Sequence, residues 1–311
     1  MKLSKVGQFR LIDIIKRKNP AKGKDVIAAI GDDAAVIKDK AKNSYILLTT
    51  DSLVEGTHFD LRYSTFYELG WKLLAVNLSD IAAMGGTPKY ALVTLGLKKN
   101  MSLANIDDFY AGIKALANKH KVEIVGGDIV SSPKSLFFTM DLFGIAKKVI
   151  KRSGARPGDA IISIGSLGGS AAGLASLKKY GRKALKIMGS NVEAHLMPSP
   201  MIKEGRLASR FATSMIDNSD GLARCLIEIC GASNVGARVY LNKIPVAKGS
   251  TIKNAFNGGE DYNLILTVPG NKAKAIKRGI MIGEITRARK IMLIDSSGKA
   301  SVMKEKGFEH F

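Results

Sequence analysis

Two hydroxyls and a carboxylate stand together at Thr49-Thr50-Asp51, directly after the apolar run Ile46-Leu47-Leu48. The run reads as a buried strand, and in an open α/β sheet ligands sit just beyond the carboxyl ends of the strands. A strand ending in hard oxygen donors is a candidate cation site; the alternative is that Asp51 caps the next turn. Other carboxylates occupy comparable places. Gly31-Asp32-Asp33 sets two acids side by side at a turn, where they repel unless a cation or water separates them. Gly126-Gly127-Asp128 follows the strand-like Val122 to Val125, and its glycines would let a phosphate or nucleotide approach the backbone. Asp217 and Asp220 bracket a turn in which Ser219 or Asp220 could equally cap the next helix. Asp80 is the only charged residue between Leu73 and Pro88. Buried without a partner it would be costly, so a metal ligand is favoured over a small solvated face or a hydrogen-bonded structural acid.

With Glu260 and Asp261 after Gly258-Gly259, nine of the 27 acidic residues sit at Gly-rich turns, element ends or inside an apolar helix. No His/Cys cluster suited to zinc accompanies them. Hard oxygen ligands suit Mg²⁺, which keeps waters and substrate phosphates in its shell. So many acids imply several Mg²⁺ ions and a heavily phosphorylated ligand such as ATP. The loop Gly165 to Ser170 does not fit GxxxxGK[ST] or GxGxxG. It follows a strand, Ala160 to Ile164, and opens a helix, Ala171 to Lys179, so it serves either tight packing or anion binding.

The elements that must position these groups alternate between strand and helix. A short amphipathic helix carries Phe9, Leu11, Ile12 and Ile15 before Asn19-Pro20. Val26 to Ile30 reads as a strand. Residues 68–84 form the clearest helix, with Trp71, Leu74, Leu78 and Ile81 on one face and Gly85-Gly86 and Pro88 as its stop. Tyr90 to Leu97 is a strand, 103–119 a helix and 136–146 a strand. Basic residues from Lys147 to Arg156 and the turn Pro157-Gly158-Asp159 mark a boundary, giving domains 1–148 and 149–311. The second half holds strands Ala237 to Leu241 and Tyr262 to Val268, a basic helix over 271–278, and a hairpin pairing Ile291 to Ile294 with Ala300 to Met303. His195, before Pro198 and Pro200, reads as structural.

Composition narrows the classes. Hydrophobic residues make up 46% of 311, enough for a full core. No apolar run approaches the ~20 residues needed to cross a bilayer, and residues 1–18 lack a signal peptide's pattern. Cys225 and Cys230 lie in an apolar helical run and read as reduced core residues. These features point to the cytoplasm. The net charge of +21 raises nucleic acid as a partner. The Lys and Arg residues are spread along the chain without a recognition motif, so the charge reads as a solvated surface that attracts anions. A basic nucleic-acid-binding protein remains the rival of another class.

Six motifs, in order and covering nearly the whole chain, carry a resemblance. They are Gly31-Asp32-Asp33-Ala34-Ala35-Val36; Thr49-Thr50-Asp51 with Gly56-Thr57-His58-Phe59; Asn77 to Gly85; Gly126-Gly127-Asp128; Asp217 to Gly221; and Gly258-Gly259-Glu260-Asp261-Tyr262. Together they resemble the thiamine-monophosphate kinase family of the aminoimidazole ribonucleotide synthetase-like superfamily. The resemblance implies a two-domain α/β (α+β type) fold with mixed sheets flanked by helices, and a homodimer through the N-terminal sheets. It assigns Asp33, Thr49, Thr50, Asp51, Asp80, Asp128, Asp217 and Asp220 to Mg²⁺, with Asp51, Asp80, Asp128 and Asp217 central to catalysis. Tyr110, Gly127, Asp128, Arg152 and Ser219 would contact ATP, and His58 and Glu260 thiamine phosphate. Phe308 stands where the family usually has a substrate-stacking tryptophan. The implied reaction is direct in-line transfer of the γ-phosphate of ATP to thiamine monophosphate. Selenophosphate synthetase and the hydrogenase-maturation enzymes share the superfamily motifs. The chain shows no N-terminal Cys/Lys pair and no C-terminal cysteine of the kinds those reactions use.

Overall fold

A computed structural model describes residues 3–310; Phe311, the last aromatic of the tail, lies outside the described residues. The first sheet is built from β1 (Val26–Ala28), β2 (Ala35–Asp39), β3 (Ser44–Val54), β4 (Thr87–Leu97), β5 (Glu123–Ser131) and β6 (Phe137–Ala146). Its spatial order is β1-β2-β3-β6-β4-β5, antiparallel except for the β4–β5 pair. Helices α1 (Gln8–Lys18), α2 (Phe66–Ala83) and α3 (Leu103–His120) belong to this half. In the second half come β7 (Asp159–Ile164), β8 (Ser214–Asp217), β9 (Gly236–Tyr240), β10 (Leu264–Pro269), β11 (Gly279–Thr286), β12 (Ile291–Ile294) and β13 (Ala300–Val302). They form a seven-stranded sheet ordered β13-β12-β9-β11-β7-β10-β8, in which only β9–β12 is parallel. Helices α4 (Gly169–Tyr180), α5 (Ala184–Leu196), α6 (Ile202–Ala208), α7 (Leu222–Ser233) and α8 (Ile252–Asn257) accompany it. These are two mixed sheets flanked by helices. Among the described residues no helix is long and apolar enough to cross a membrane.

Helix α2 is the pivot of the packing. Thr65 caps it by accepting from the Glu68 backbone N–H, while the Glu68 carboxylate accepts from the Thr65 N–H at 2.8 Å, closing a capping box. The sequence suggests one apolar face, yet 15 of its 18 residues are buried. A helix apolar all round is one enclosed on every side. One side of α2 packs on β3, β6 and α3, and another meets α6 and β8 of the second half. Trp71 Nε1 donates to the Pro198 carbonyl at 2.9 Å, and Arg182 donates to both Glu68 carboxylate oxygens at 2.8 and 2.9 Å. Both contacts tie the second half to this helix.

Three local expectations change. Thr49, Thr50 and Asp51 do not follow a strand. They lie inside β3, which runs on to Val54 because its whole length pairs with β6, Asp51 opposite Met140. Gly126-Gly127-Asp128 is likewise internal to β5, at the edge of the sheet. The basic stretch over 271–278 forms no α-helix: a 3₁₀ turn, Gly270–Ala275, leads into β11.

Gly127 is explained by its neighbour. A Cβ there would fall 1.9 Å from the Val93 carbonyl oxygen on β4, whereas at Gly126 it would meet only the Leu92 Cδ2 at 3.2 Å. Gly127→Ala is therefore expected to lower stability by about 2 kcal/mol or more, and Gly126→Ala by much less. Chemical denaturation of both variants checks this; equal losses would show that the β4–β5 approach is not rigid.

Candidate active site

A cleft of about 590 Å³ opens between the two halves. Strand alternation sends Thr49 and Asp51 of β3 toward α2, and Thr50 and Ser52 onto the opposite, exposed face. On α2, Lys72, Val76 and Asp80 recur every fourth residue and share one face. The second half contributes Asp217 at the end of β8, Ser219 and Asp220 from the turn before α7, and the segment Gly258 to Tyr262.

Acids converge at one end. Asp33, Asp80 and Asp217 each offer a carboxylate oxygen, all within 4.8 Å of one another. Their orientation is fixed by neighbours. The Thr49 hydroxyl donates to Asp80, and the Ser79 hydroxyl donates to Asp217 Oδ2 at 2.7 Å. Arg152 donates through Nε and Nη2 to Asp33 Oδ1, at 2.9 and 2.5 Å. Asp33 Oδ2 is buried with no hydrogen-bond partner. Asp32 Oδ1 accepts from the Arg152 backbone N–H at 3.1 Å. Asp51 and Asp220 line the same cleft.

One guanidinium does not balance these charges. Burial, then the charges of Asp220 and Asp33, pushes the Asp51 carboxyl up to about 7. Asp80 and Asp217 rise well above the usual carboxylate range, first by burial and then by neighbouring acids. Burial raises Asp33 even against Arg152. A set of hard oxygen donors with one orphaned oxygen fits a hard divalent cation. The acids would then ionise fully and become ligands.

The other end of the cleft is aromatic and ion-paired. His58 Nδ1 accepts from the Val54 N–H at 3.1 Å, and burial lowers the ring's pKa, so His58 is neutral. Its ring lies 5.1 Å from that of His310, which meets Phe308 edge-on at 5.1 Å. The tail reaches the cleft through two backbone bonds, Phe308 N–H to the Asp220 carbonyl at 2.9 Å and His310 N–H to Gln8 Oε1 at 3.1 Å. Glu260 is paired with Lys72 at 2.7 Å and with His195 at 3.2 Å.

The glycine loop holds an anion of its own chain. Asp261 accepts from the Gly168 N–H at 2.6 Å and the Ser170 N–H at 2.9 Å at the start of α4. That carboxylate fills the place a phosphate would take.

Within the single chain the cleft gathers Asp33, Thr49, Asp51, His58, Asp80, Arg152, Asp217, Ser219, Asp220, Glu260 and Phe308, while Thr50 borders it from a strand position whose side chain turns to the opposite face. It does not gather Gly127, Asp128 or Tyr110. Three strand spacings, about 14 Å, separate β3 from β5, and Asp128 is exposed there, accepting from its neighbour Ile129 N–H. Tyr110 packs edge-on against Phe109 on α3. Lys72, Ser79 and the Asp261 tether escaped the sequence reading. The signal for Lys72 was available: a lysine two turns before Asp80 at the head of an apolar run.

Comparison with known proteins gives a consistent family. The model described as "AIR synthase related protein, N-terminal domain" matches residues 31–146, and its C-terminal counterpart matches 156–294. The thiamine-monophosphate kinase of Buchnera aphidicola subsp. Acyrthosiphon pisum is 37% identical over 326 residues, spanning 99% of this chain and 99% of that protein. The thiamine-monophosphate kinase of Aquifex aeolicus is 32% identical over 321 residues, spanning 100% of both. The solved structure "AaThiL complexed with AMPPCP and TMP" is similar at a TM-score of 0.90 and 32% identity, over 100% of this chain and 99% of that one.

The electrostatics carry a pH consequence. A carboxyl whose folded pKa is raised stabilises the fold fully below its unfolded value and loses that contribution as pH rises through the folded value. With Asp51 moved from 3.8 to about 7, the ligand-free protein should lose stability between pH 4 and 7 and level off above. Mg²⁺ should restore much of the loss at pH 8. Thermal melts across this range, with and without Mg²⁺, check both; a melting point that rises from pH 4 to 7 would contradict the charge arrangement.

Proposed function

The chain belongs to the thiamine-monophosphate kinase family, and we propose that its cleft joins ATP and thiamine monophosphate for direct phosphoryl transfer. The enzyme phosphorylates thiamine monophosphate to thiamine diphosphate. The observation that carries the assignment of chemistry to this cleft is the triad Asp33, Asp80 and Asp217 in one cleft with the aromatic rings of His58, Phe308 and His310. One end suits polyphosphate with its metal ions and the other a heteroaromatic ring.

The acceptor is a phosphate monoester whose second pKa is ~6, so it is already ionised at neutral pH. No general base is needed. Electrostatic repulsion between the two anions is the main obstacle. Asp33, Asp80 and Asp217 would hold Mg²⁺, with Asp51, Thr49 and Asp220 beside them. Bound there, Mg²⁺ neutralises the phosphates and the charge that develops during transfer. Arg152 keeps Asp33 aimed at the cluster and adds fixed positive charge near the phosphates. Ser219 lies at the ATP side, and its carbonyl holds the Glu260 N–H at 2.6 Å. His58, Glu260 and Phe308 form the thiamine end, with the Phe308 ring available for stacking.

We further propose a homodimer through the first sheet. Its outer face is apolar and open: Leu48, Phe143 and Tyr90 form one cross-strand row, and Leu92 and Val125 extend it. Val125 is 56% exposed. An apolar face of this kind marks an association surface. Edge strand β5 borders it, and we assign Gly127 and Asp128 to a cleft completed by the second copy. Both cysteines are free and buried, and we place the enzyme in the reducing cytoplasm.

Chromatography of the protein with Mg-ATP and either thiamine monophosphate or thiamine tests the reaction. Thiamine diphosphate should form from the monophosphate alone; ADP release without it would move the cleft to another acceptor. Asp80→Asn should cut kcat/KM by on the order of 100-fold or more while raising the melting point of the ligand-free protein, because one buried like charge is gone. Near-normal turnover in that variant would remove Asp80 from the site. Leu92→Asp should shift the protein to monomer in sedimentation; an unchanged species would dismiss this face as the interface.

A further inference from the structure

Lys72 is a charged residue that the reaction as described does not use. Its side chain is 3% exposed, on a helix buried on nearly every side. A buried ammonium is held only by a partner, here Glu260 at 2.7 Å across the boundary between the two halves. The other Glu260 oxygen faces the Nδ1 of His195 at 3.2 Å, which the Ser170 hydroxyl also reaches at 3.0 Å. His195 is itself buried and its pKa is lowered, by burial first and then by Lys72, so the ring is neutral. The carboxylate beside Nδ1 favours the tautomer that carries the ring hydrogen there, with Glu260 as its acceptor.

The backbone beneath Glu260 is equally constrained. Glu260 and Tyr262 both have positive φ, 67° and 51°. Such residues persist where surrounding bonds over-determine them. Glu260 N–H donates to the Ser219 carbonyl, Tyr262 N–H to the Asn218 carbonyl, and Asp261 between them is tied to the start of α4. The carboxylate is thus fixed from below and from two sides, and it lines the cleft. An ionised carboxylate accepts at about four lone-pair positions. Lys72 and His195 occupy two, leaving the cleft side to a donor on the substrate. Lys72 also stands eight residues before Asp80, so one helix face separates Glu260's partner from the acidic cluster by about 12 Å.

We infer that Lys72 and His195 are positioning residues that hold Glu260 as a fixed, ionised acceptor for an N–H donor on the heteroaromatic end of the substrate. For thiamine phosphate the donor class is the exocyclic amine of the aminopyrimidine. This rests on the functional reading above and goes beyond it by naming what sets the selectivity of the ring end. Without Lys72 a buried carboxylate takes up a proton. It then presents a donor as readily as an acceptor and no longer distinguishes an amine from a carbonyl.

The test compares thiamine phosphate with oxythiamine phosphate, in which that amine is replaced by oxygen, for the wild type, Lys72→Met and His195→Phe. The wild type should prefer the amine by about 100-fold or more in kcat/KM, as sites built to hydrogen-bond a donor do. Lys72→Met should reduce the preference at least tenfold and raise the KM for thiamine phosphate at least tenfold, with the KM for ATP within twofold. His195→Phe, which keeps the Lys72 pair, should move the preference in the same direction and carries the test if Lys72→Met does not fold. A merely structural role would lower turnover of both acceptors and leave their ratio unchanged, and that result in either folded variant overturns the inference alone. Failure of the wild type to phosphorylate thiamine phosphate would instead overturn the functional reading, and this inference with it.

Discussion

Mutual repulsion of buried carboxylates is the constraint on which this structure depends. Asp33 and Asp80 come from the first half and Asp217 from the second, and their oxygens lie within 4.8 Å. Like charges at such separation in a poorly solvated site cannot all ionise without a counter-charge. The protein supplies one guanidinium and two hydroxyl donors, Arg152, Thr49 and Ser79. That is enough to orient the acids and too little to neutralise them. The packing between the halves, centred on α2, therefore holds the acids in a high-energy arrangement that a divalent cation would relieve. In the proposed function, stability given up in the ligand-free state would become affinity for metal-bound polyphosphate.

The same helix resolves the second demand on the site. A phosphoryl acceptor that also carries a heteroaromatic ring must be gripped at two chemically opposite ends. On α2, Asp80 stands in the acidic cluster, which we propose faces the phosphates, and Lys72 pairs with Glu260. Trp71 and Glu68 at its start bind the second half through Pro198 and Arg182. A rigid helix between two polar anchors converts a sequence interval into a distance in space. Loops alone would not hold that separation.

Much of the acidic lining of the cleft was legible because acids in apolar or glycine-rich surroundings conflict with their context. Asp80 inside an uncharged helix and Asp217 at a strand end are such conflicts, and the cleft contains both. The position of Thr49-Thr50-Asp51 was misread for a physical reason. A run of polar residues after three aliphatic ones looks like a strand end, yet threonine is β-branched and favours extended structure. Pairing with β6 carries the strand through. Lys72 left only the signal of a lysine beside an apolar run, because a lysine in a helix ordinarily points to solvent and only tertiary packing buries it. The Asp261 tether joins residues 91 positions apart in sequence to Ser170, and no local pattern encodes it. The glycine loop then needed the fold to separate its two readings, and it binds an anion that the chain itself provides.

The residues that the single chain leaves outside the cleft bear on the proposed assembly. Gly127 and Asp128 belong to a motif that resembles nucleotide contacts, yet they sit on edge strand β5, about 14 Å across the sheet from β3. The edge is paired tightly: Val93 leaves no room for a Cβ at Gly127. A motion that peeled β5 away to reach the cleft would break the β4 ladder from Glu123 to Ser131. Association through the neighbouring apolar face needs no such rupture and removes that surface from water. The exposed acid on β5 and the exposed aliphatic residues beside it are thus accounted for by one proposal, in which the catalytic unit is larger than the single chain.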